Sequence, residues 1–244
     1  IDHFNIPSKQ LLYLPFIETE ISHETKDILP DFNNRKDFMF IGNFIHEPNY
    51  QTVLQLKKIW TSIKKRLPNT QIHIYGAYAS QKVLQLNNAN DGFLIKGKAD
   101  DVNQIMQQYR VLVAPIPFGA GLKGKFVDGF RNGLPNVTSK IGSEGISAEN
   151  WGGFIAENET DFVDAVCKLY EDESEWNRAV ANGFDILNNQ FSDKICSGVL
   201  KDAVLKIYEN IELHRNNLFI QKILWQNGLQ AVKYMSLWIE QKNK

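Results

Sequence analysis

Residues Gly119 to Lys125 bring three glycines and two lysines into seven positions, GAGLKGK. The chain then takes on a helical pattern near 125–132. Bare backbone and positive charge at the start of a helix are the ingredients of an anion site. The first N–H groups of a helix have no intrahelical partner, and the macrodipole is positive there. Glycine lets the main chain approach an anion closely. Lys123 and Lys125 add full charges, and the N–H groups around Gly119, Gly121, Leu122 and Gly124 add dipoles, so the stretch reads as a diphosphate cradle. The opposing reading is a surface turn with solvating lysines. It puts cations where the helix dipole disfavours them unless an anion is present. Asp128 lies about one helical turn past Lys125. Its carboxylate can accept hydrogen bonds from ribose hydroxyls or serve the dipole of the first turn, and the residues leave both open.

Two common nucleotide motifs are excluded. A dinucleotide-binding strand would be followed by G-x-G-x-x-G. The first strand here runs into GNFIHEPN (42–49), with one glycine, and the phosphate-like stretch comes after the fourth strand. A Walker A loop needs G-K-[ST] at the helix start, which GLKGK lacks.

The elements that position these residues follow from hydrophobic periodicity. Strand-like runs occur at 37–41 (DFMFI), 71–75 (QIHIY), 92–95 (GFLI), 110–114 (RVLVA), 134–138 (LPNVT) and 152–156 (GGFIA). Between them lie helical patterns, with Val53, Leu56, Trp60, Ile63 and Leu67 on one face of 50–67 and another helix near 100–109. Asn49 is expected to cap the helix that begins near Tyr50. Later stripes join Phe162, Val166 and Leu169; Trp176, Val180, Phe184 and Leu187; and Val199, Ala203, Ile207 and Ile211. Alternating strands and helices imply βαβ units and an α/β fold with a doubly wound parallel sheet. In such a sheet ligands bind beyond the carboxyl ends of the strands, where strand order reverses. Gly42, Gly76, Gly97, Gly119, Gly121 and Gly142 all follow predicted strands, so their loops emerge on one edge. Several such loops together are read as a backbone-lined cleft, one alone as turn chemistry.

The whole chain narrows the function. Its 244 residues carry a net charge of −1, so no global positive field argues for nucleic acid. The two cysteines, Cys167 and Cys196, lack metal-ligand spacing and read as reduced thiols in a cytoplasmic protein. No run reaches membrane-spanning length, and no signal-peptide pattern is seen. The first residues look like the middle of a longer protein.

Residues 37–190 resemble the C-terminal, nucleotide-sugar-binding domain of GT-B glycosyltransferases of the group-1, family 4-like kind. The resemblance rests on the order and spacing of FIGNFIHEPN, IYGAY, FLIKGKADDV, RVLVAPIPFGAGLKGKFVDGFRNGLPNVTS and IGSEGI. It implies a Rossmann-like domain over 37–190, preceded by an interdomain lead-in at 1–36 and followed by C-terminal helices at 191–244. It also implies an upstream acceptor domain, absent here, to which the last helix is expected to cross. Many such enzymes carry two glutamates eight positions apart across this loop and helix. Asp128 matches the second, which holds ribose, and Ala120 stands at the first. The donor would be a UDP- or GDP-linked sugar, with no metal, since Lys123 and Lys125 would serve the diphosphate and no Asp-x-Asp motif is present. Gly42 and Asn43 would approach the donor from the side opposite Lys123. Gly76, Gly97 and Lys98 would line the cleft, Lys98 and Ala99 at the base pocket. Lys98 can equally be a solvated surface residue. Glu144 can reach the donor sugar or cap a short turn. His46 can be a structural hydrogen-bonding residue or a base, and no catalytic residue is assigned.

The implied activity is transfer of a sugar from a nucleoside diphosphate sugar to an acceptor in polysaccharide or glycoconjugate biosynthesis, with this part alone inactive. An epimerase of the same architecture and a non-catalytic nucleotide-sugar-binding module are the alternatives. The tail, 216–243, carries Phe219, Trp225, Tyr234, Met235, Trp238 and Ile239. This surface is expected to meet the upstream domain, or another copy in its absence. Its basic residues are too scattered for a membrane claim, so any peripheral membrane contact falls to the absent part.

Overall fold

The computed structural model describes residues 8, 11–146, 149–216 and 218–242, and the side chains of all of these but 219 and 225–232. Two compact units can be distinguished: Pro15–Cys196, and Ser197–Lys244 together with Ile1–Leu14.

The first unit is built on six parallel strands: β1 (Lys36–Ile41), β2 (Ile72–Tyr75), β3 (Phe93–Gly97), β4 (Tyr109–Ala114), β5 (Asn136–Ser139) and β6 (Gly153–Ala156). Their order across the sheet is β3-β2-β1-β4-β5-β6. β1 and β4 are the central pair, in register at Phe38 with Val111 and Met39 with Leu112. Both strands are buried through nearly their whole length, as continuous apolar runs in a parallel sheet must be. The α/β, doubly wound parallel architecture expected from the sequence is the one observed.

Helices flank the sheet. After β1 comes α2 (Glu47–Arg66), which buries Val53, Leu56, Ile59, Trp60 and Ile63 and anchors its far end by a 2.7 Å bond from Trp60 Nε1 to the Asp91 carbonyl. α5 (Gly124–Arg131) follows β4 and buries Phe126, Val127 and Phe130. α7 (Glu159–Glu171) and α8 (Glu173–Ile186) come after β6; α7 lies against α2, and α8 against α5. Phe162, Val166, Leu169, Trp176, Phe184 and Leu187 are all buried, as their stripes require, and Val180 packs at the edge of the core. Shorter helices are α1 (His23–Asp27), α3 (Gln81–Leu84), α4 (Val102–Met106) and α6 (Lys140–Ser143). The helix expected over 100–109 is thus shorter, because Asp101 caps it by accepting from the Gln104 N–H and Tyr109 already belongs to β4.

One charged side chain is fully buried at the amino ends of β1 and β4. The Arg35 guanidinium donates to the carbonyls of Pro30 (2.8 Å) and Asn132 (2.7 Å), and more weakly to those of Met106 and Tyr109. Burial brings its pKa down to about 10. It thereby fastens the segment before β1 to the turn after α5. The same lead-in stretch contributes Glu18, which pairs with Arg131 of α5 and whose N–H donates to the Phe191 carbonyl.

The second unit is carried by α9 (Asp193–Glu209), α10 (Ile211–Asn216) and α11 (Phe219–Lys242). Val199 and Ile207 are exposed, as are Tyr234, Met235 and Trp238 on α11. The side chains of Phe219 and Trp225, expected on the tail's apolar surface, lie outside the described residues. Among the described residues no helix is long and apolar enough to cross a membrane.

Candidate donor site

The chain leaves β1 toward β2 and β3 on one side and leaves β4 toward β5 and β6 on the other. The loops after β1 and β4 therefore part from each other at the centre of the carboxyl edge, which is where such sheets bind ligands. The first is Gly42–His46, ahead of α2; the second is Pro115–Lys123, ahead of α5.

Two lysine ammoniums come together where these loops meet. Lys125 Nζ donates to Asn49 Oδ1 at 2.8 Å and sits 4.2 Å from the centroid of the Phe40 ring. Burial, reinforced by the charge of Lys123, brings its pKa down to about 7. The Lys123 side chain is only 10% exposed, and its Nζ has no hydrogen-bond partner. Its counter-charge is Glu144 Oε2, 3.5 Å away on a side chain that is 54% exposed. A buried cation without hydrogen bonds is costly, so the arrangement is short of one anion. Lys123 also holds the cap position of α5 with no side-chain bond to the first-turn amides. Those amides and the positive end of the dipole also favour an anion at the start of α5.

The glycines divide into two kinds. Gly121 has φ of 74° and nothing within 4 Å of where a Cβ would stand, so it bends the loop through left-handed space while leaving its surroundings open. Gly119 is similarly open, with Pro48 at 3.9 Å as its nearest neighbour. Gly97, at φ 75°, is open as well. Gly42 and Gly76 are close-packed instead. A Cβ on Gly76 would stand 2.2 Å from the Gly42 carbonyl and 2.3 Å from the Phe44 ring. On Gly42 it would stand 2.6 Å from Asn49 Cγ. These two serve backbone packing behind the loops. Gly124 lies beside Phe16, and Leu122 turns inward to pack on the core.

The remaining predicted residues are spread around this centre. Asn43 is used for a turn, its Oδ1 accepting from the Ile45 N–H at 2.9 Å. His46 is exposed and occupies the cap position of α2 without a side-chain bond. Lys98 is exposed beyond β3, and Ala120 is exposed on the loop after β4. Asp128 is half-buried one turn into α5; its Oδ1 is 3.4 Å from Arg131 Nη2, and burial pushes its carboxyl above the ordinary range.

Asn49 departs from its expected role. The helix starts at Glu47, so Asn49 sits inside its first turn and caps nothing. Pro48 was the overlooked signal, because proline favours the first helical turn. The freed amide donates from Nδ2 to the Asn43 carbonyl at 2.7 Å and accepts from Lys125. Ser139 is a second residue that sequence reasoning missed. Its hydroxyl donates to the Ile116 carbonyl at 2.6 Å and braces the start of the glycine-rich loop. A concavity of about 650 Å³ lies at the other end of the strands, among Pro30, Asn33, Gln104 and Gln107.

A profile of the family described as glycosyl transferases group 1 matches residues 35–172. The chain belongs to the group 1 glycosyltransferases. The matched span starts at the buried Arg35 and includes both site loops, α5 and α7. Among curated proteins, an uncharacterized 44.6 kDa protein in the cps region of Klebsiella pneumoniae is 25% identical over 174 residues, covering 67% of this chain and 45% of that protein. Among solved structures, S. aureus TarM, in a variant bound to fondaparinux, alpha-GlcNAc-glycerol and UDP, superposes with a TM-score of 0.67 at 13% identity, over 83% of this chain and 40% of that one. The pneumococcal O-GlcNAc transferase GtfA, with UDP and GlcNAc, gives 0.60 at 19% identity, over 81% and 39%. Anabaena HepE, with UDP and glucose, gives 0.60 at 10% identity, over 85% and 59%. The group 1 chain described here therefore spans between 39% and 59% of these relatives' length, and the structures establish its Rossmann-like GT-B fold.

Proposed function

We propose that this chain is the donor-binding part of a glycosyltransferase that transfers a sugar from a nucleoside diphosphate sugar to an acceptor. One observation carries the reading: two buried lysine ammoniums meet at a loop–helix junction on the switch-point edge, and one of them has no hydrogen-bond partner. A diphosphate supplies the missing negative charge and acceptors. UDP is the favoured nucleotide, in keeping with the ligands bound by TarM, GtfA and HepE. As the sugar–phosphate bond breaks, negative charge grows on the departing diphosphate. Lys123, Lys125 and the uncapped amides of α5 are fixed beforehand to receive it, which lowers the barrier without a metal ion. Among the described residues no His, Cys, Asp and Glu cluster is placed to hold one. Asp128 binds ribose, exchanging part of its contact with Arg131 for the sugar hydroxyls. Gly97 and Lys98 border the base, and Glu144 the donor sugar.

The acceptor is held by a further domain that meets the exposed apolar face of α11, including Tyr234 and Trp238. Without it, α11 pairs with a second copy. Free Cys167 and Cys196 fit a reducing, cytoplasmic setting. The test of the donor site is thermal melting of the 244-residue chain with millimolar UDP, GDP or uridine. UDP raises the melting temperature, uridine raises it far less, and the double substitution Lys123→Ala, Lys125→Ala removes the rise. A melting curve unmoved by either diphosphate overturns the reading.

A further inference from the structure

We propose that Asn49 is a positioning residue, a neutral acceptor that holds the Lys125 ammonium at the switch point while leaving its charge for the donor's phosphates. The inference rests on the donor-site reading above and adds to it the residue that presents the cation.

The orientation of the Asn49 amide is fixed from both sides. Nδ2 can only donate, and it does so to the Asn43 carbonyl at 2.7 Å. Oδ1 can only accept, and the ammonium of Lys125 can only donate to it, at 2.8 Å. Asn49 thus ties the loop after β1 to the start of the helix after β4, across 76 residues of sequence. The bare Gly42 makes this possible, since a Cβ there would stand 2.6 Å from Asn49 Cγ and 2.7 Å from Oδ1. The amide does not cap α2, whose cap position belongs to His46.

The chemistry of the partner matters more than its presence. An aspartate at this position would place a carboxylate on the ammonium and neutralise it. An amide supplies the same hydrogen-bond acceptor without a charge. The charged group that acts on Lys125 is Lys123, and the Glu144 carboxylate stands 3.5 Å from Lys123. Phe40 closes the other side with a ring face. Lys125 therefore has a holder but no counter-ion, and burial without one brings its pKa to about 7. A phosphate anion arriving at the site supplies that counter-ion and favours the protonated form.

The test compares wild type, Asn49→Asp and Asn49→Ala in the full 244-residue chain, with two readouts. The first is the titration of the Lys125 side chain by NMR without nucleotide. The second is UDP affinity by calorimetry at about pH 7 and pH 8.5, a range that lies between the last phosphate ionisation of UDP and the ionisation of its uracil N3–H. In wild type, Lys125 titrates near neutrality and UDP affinity falls between the two pH values. Asn49→Asp raises the lysine's titration point toward that of an ordinary lysine, weakens UDP binding at pH 7 by about tenfold, and flattens the pH dependence. Asn49→Ala weakens binding while keeping the pH dependence, and it is the deciding variant if the aspartate does not fold. A purely structural role would change melting temperature and leave the titration point where it is. If the Asn49 variants match wild type in both readouts while Lys123→Met still loses UDP, the positioning role is wrong and the donor reading stands. If wild type itself binds no UDP, the donor reading fails and this role fails with it.

Discussion

Replacing Lys125 by methionine should stabilise the empty protein at neutral pH. A base whose folded-state pKa lies below its unfolded value costs stability at every pH below the unfolded value, and the cost changes with pH only where the unfolded chain is the more protonated state. With 10.5 unfolded and about 7 folded, the cost is fully present below pH 7. It shrinks as pH rises from 7 to 10.5 and is gone above that. At roughly 1.4 kcal/mol per pH unit the ceiling is about 5 kcal/mol. Relaxation and water entry around buried charges leave about 3 kcal/mol of it. Methionine fills much the same volume without the charge. It forfeits the bond to Asn49 and the contact with the Phe40 ring, together about 1–2 kcal/mol. Lys125→Met is therefore more stable than wild type by about 1–2 kcal/mol at pH 6.5, a gain that vanishes or reverses by about pH 9.5. Urea unfolding followed by far-UV circular dichroism across that range measures the difference. The range stops short of the ordinary tyrosine pKa, because burial pushes the Tyr109 hydroxyl well above its usual value, and stability due to it begins to be lost only beyond about pH 10. A stability difference that stays constant with pH would falsify the assignment of the cost to a buried ammonium, as would a variant less stable than wild type at pH 6.5.

Two further outcomes are expected. Gly76→Ala forces a methyl to within 2.2 Å of the Gly42 carbonyl and should lower stability by about 2–3 kcal/mol, read as a lower melting temperature by calorimetry. Glu144→Gln removes the carboxylate that competes with the diphosphate for Lys123 at 3.5 Å, so UDP, which lacks the sugar that Glu144 would border, should bind a few-fold tighter by titration calorimetry; weaker UDP binding would refute the competition.

Much of the scaffold was readable because its signals are local. β1 and β4 are central strands buried on both faces, and their unbroken apolar runs say so directly. Lys123 and Lys125 stand out in the sequence as charge beside glycine before a helix, which is what makes the stretch a candidate anion site. Their burial does not show there, because it depends on Phe40 and Asn49, far away in sequence. Asn49 itself was misplaced by a strong local preference: asparagine caps helices well, and here a proline in the first turn moves the start ahead of it. Gly76 shows a different limit. A glycine that opens a cleft and a glycine that admits a neighbouring backbone look alike in a sequence, and only the 2.2 Å approach of the Gly42 carbonyl tells them apart. The connection between β2 and β3 carries little periodicity, because α3 is only one turn long.

The buried Arg35 has a consequence for how this protein can change over generations. Its four carbonyl partners lie at the amino ends of the central strands, while the lysine pair lies beyond their carboxyl ends. Six residues of β1 separate the two by about 17 Å. Substitutions that far apart, with no partner in common, act nearly independently. Lineages can therefore experiment with the open loops at Gly97 and Gly121, while the rivet at the other end keeps the sheet intact. The locked half of the edge, where Gly42, Gly76 and Asn49 fill one another's space, allows far less drift, and a viable replacement there needs companions arriving with it.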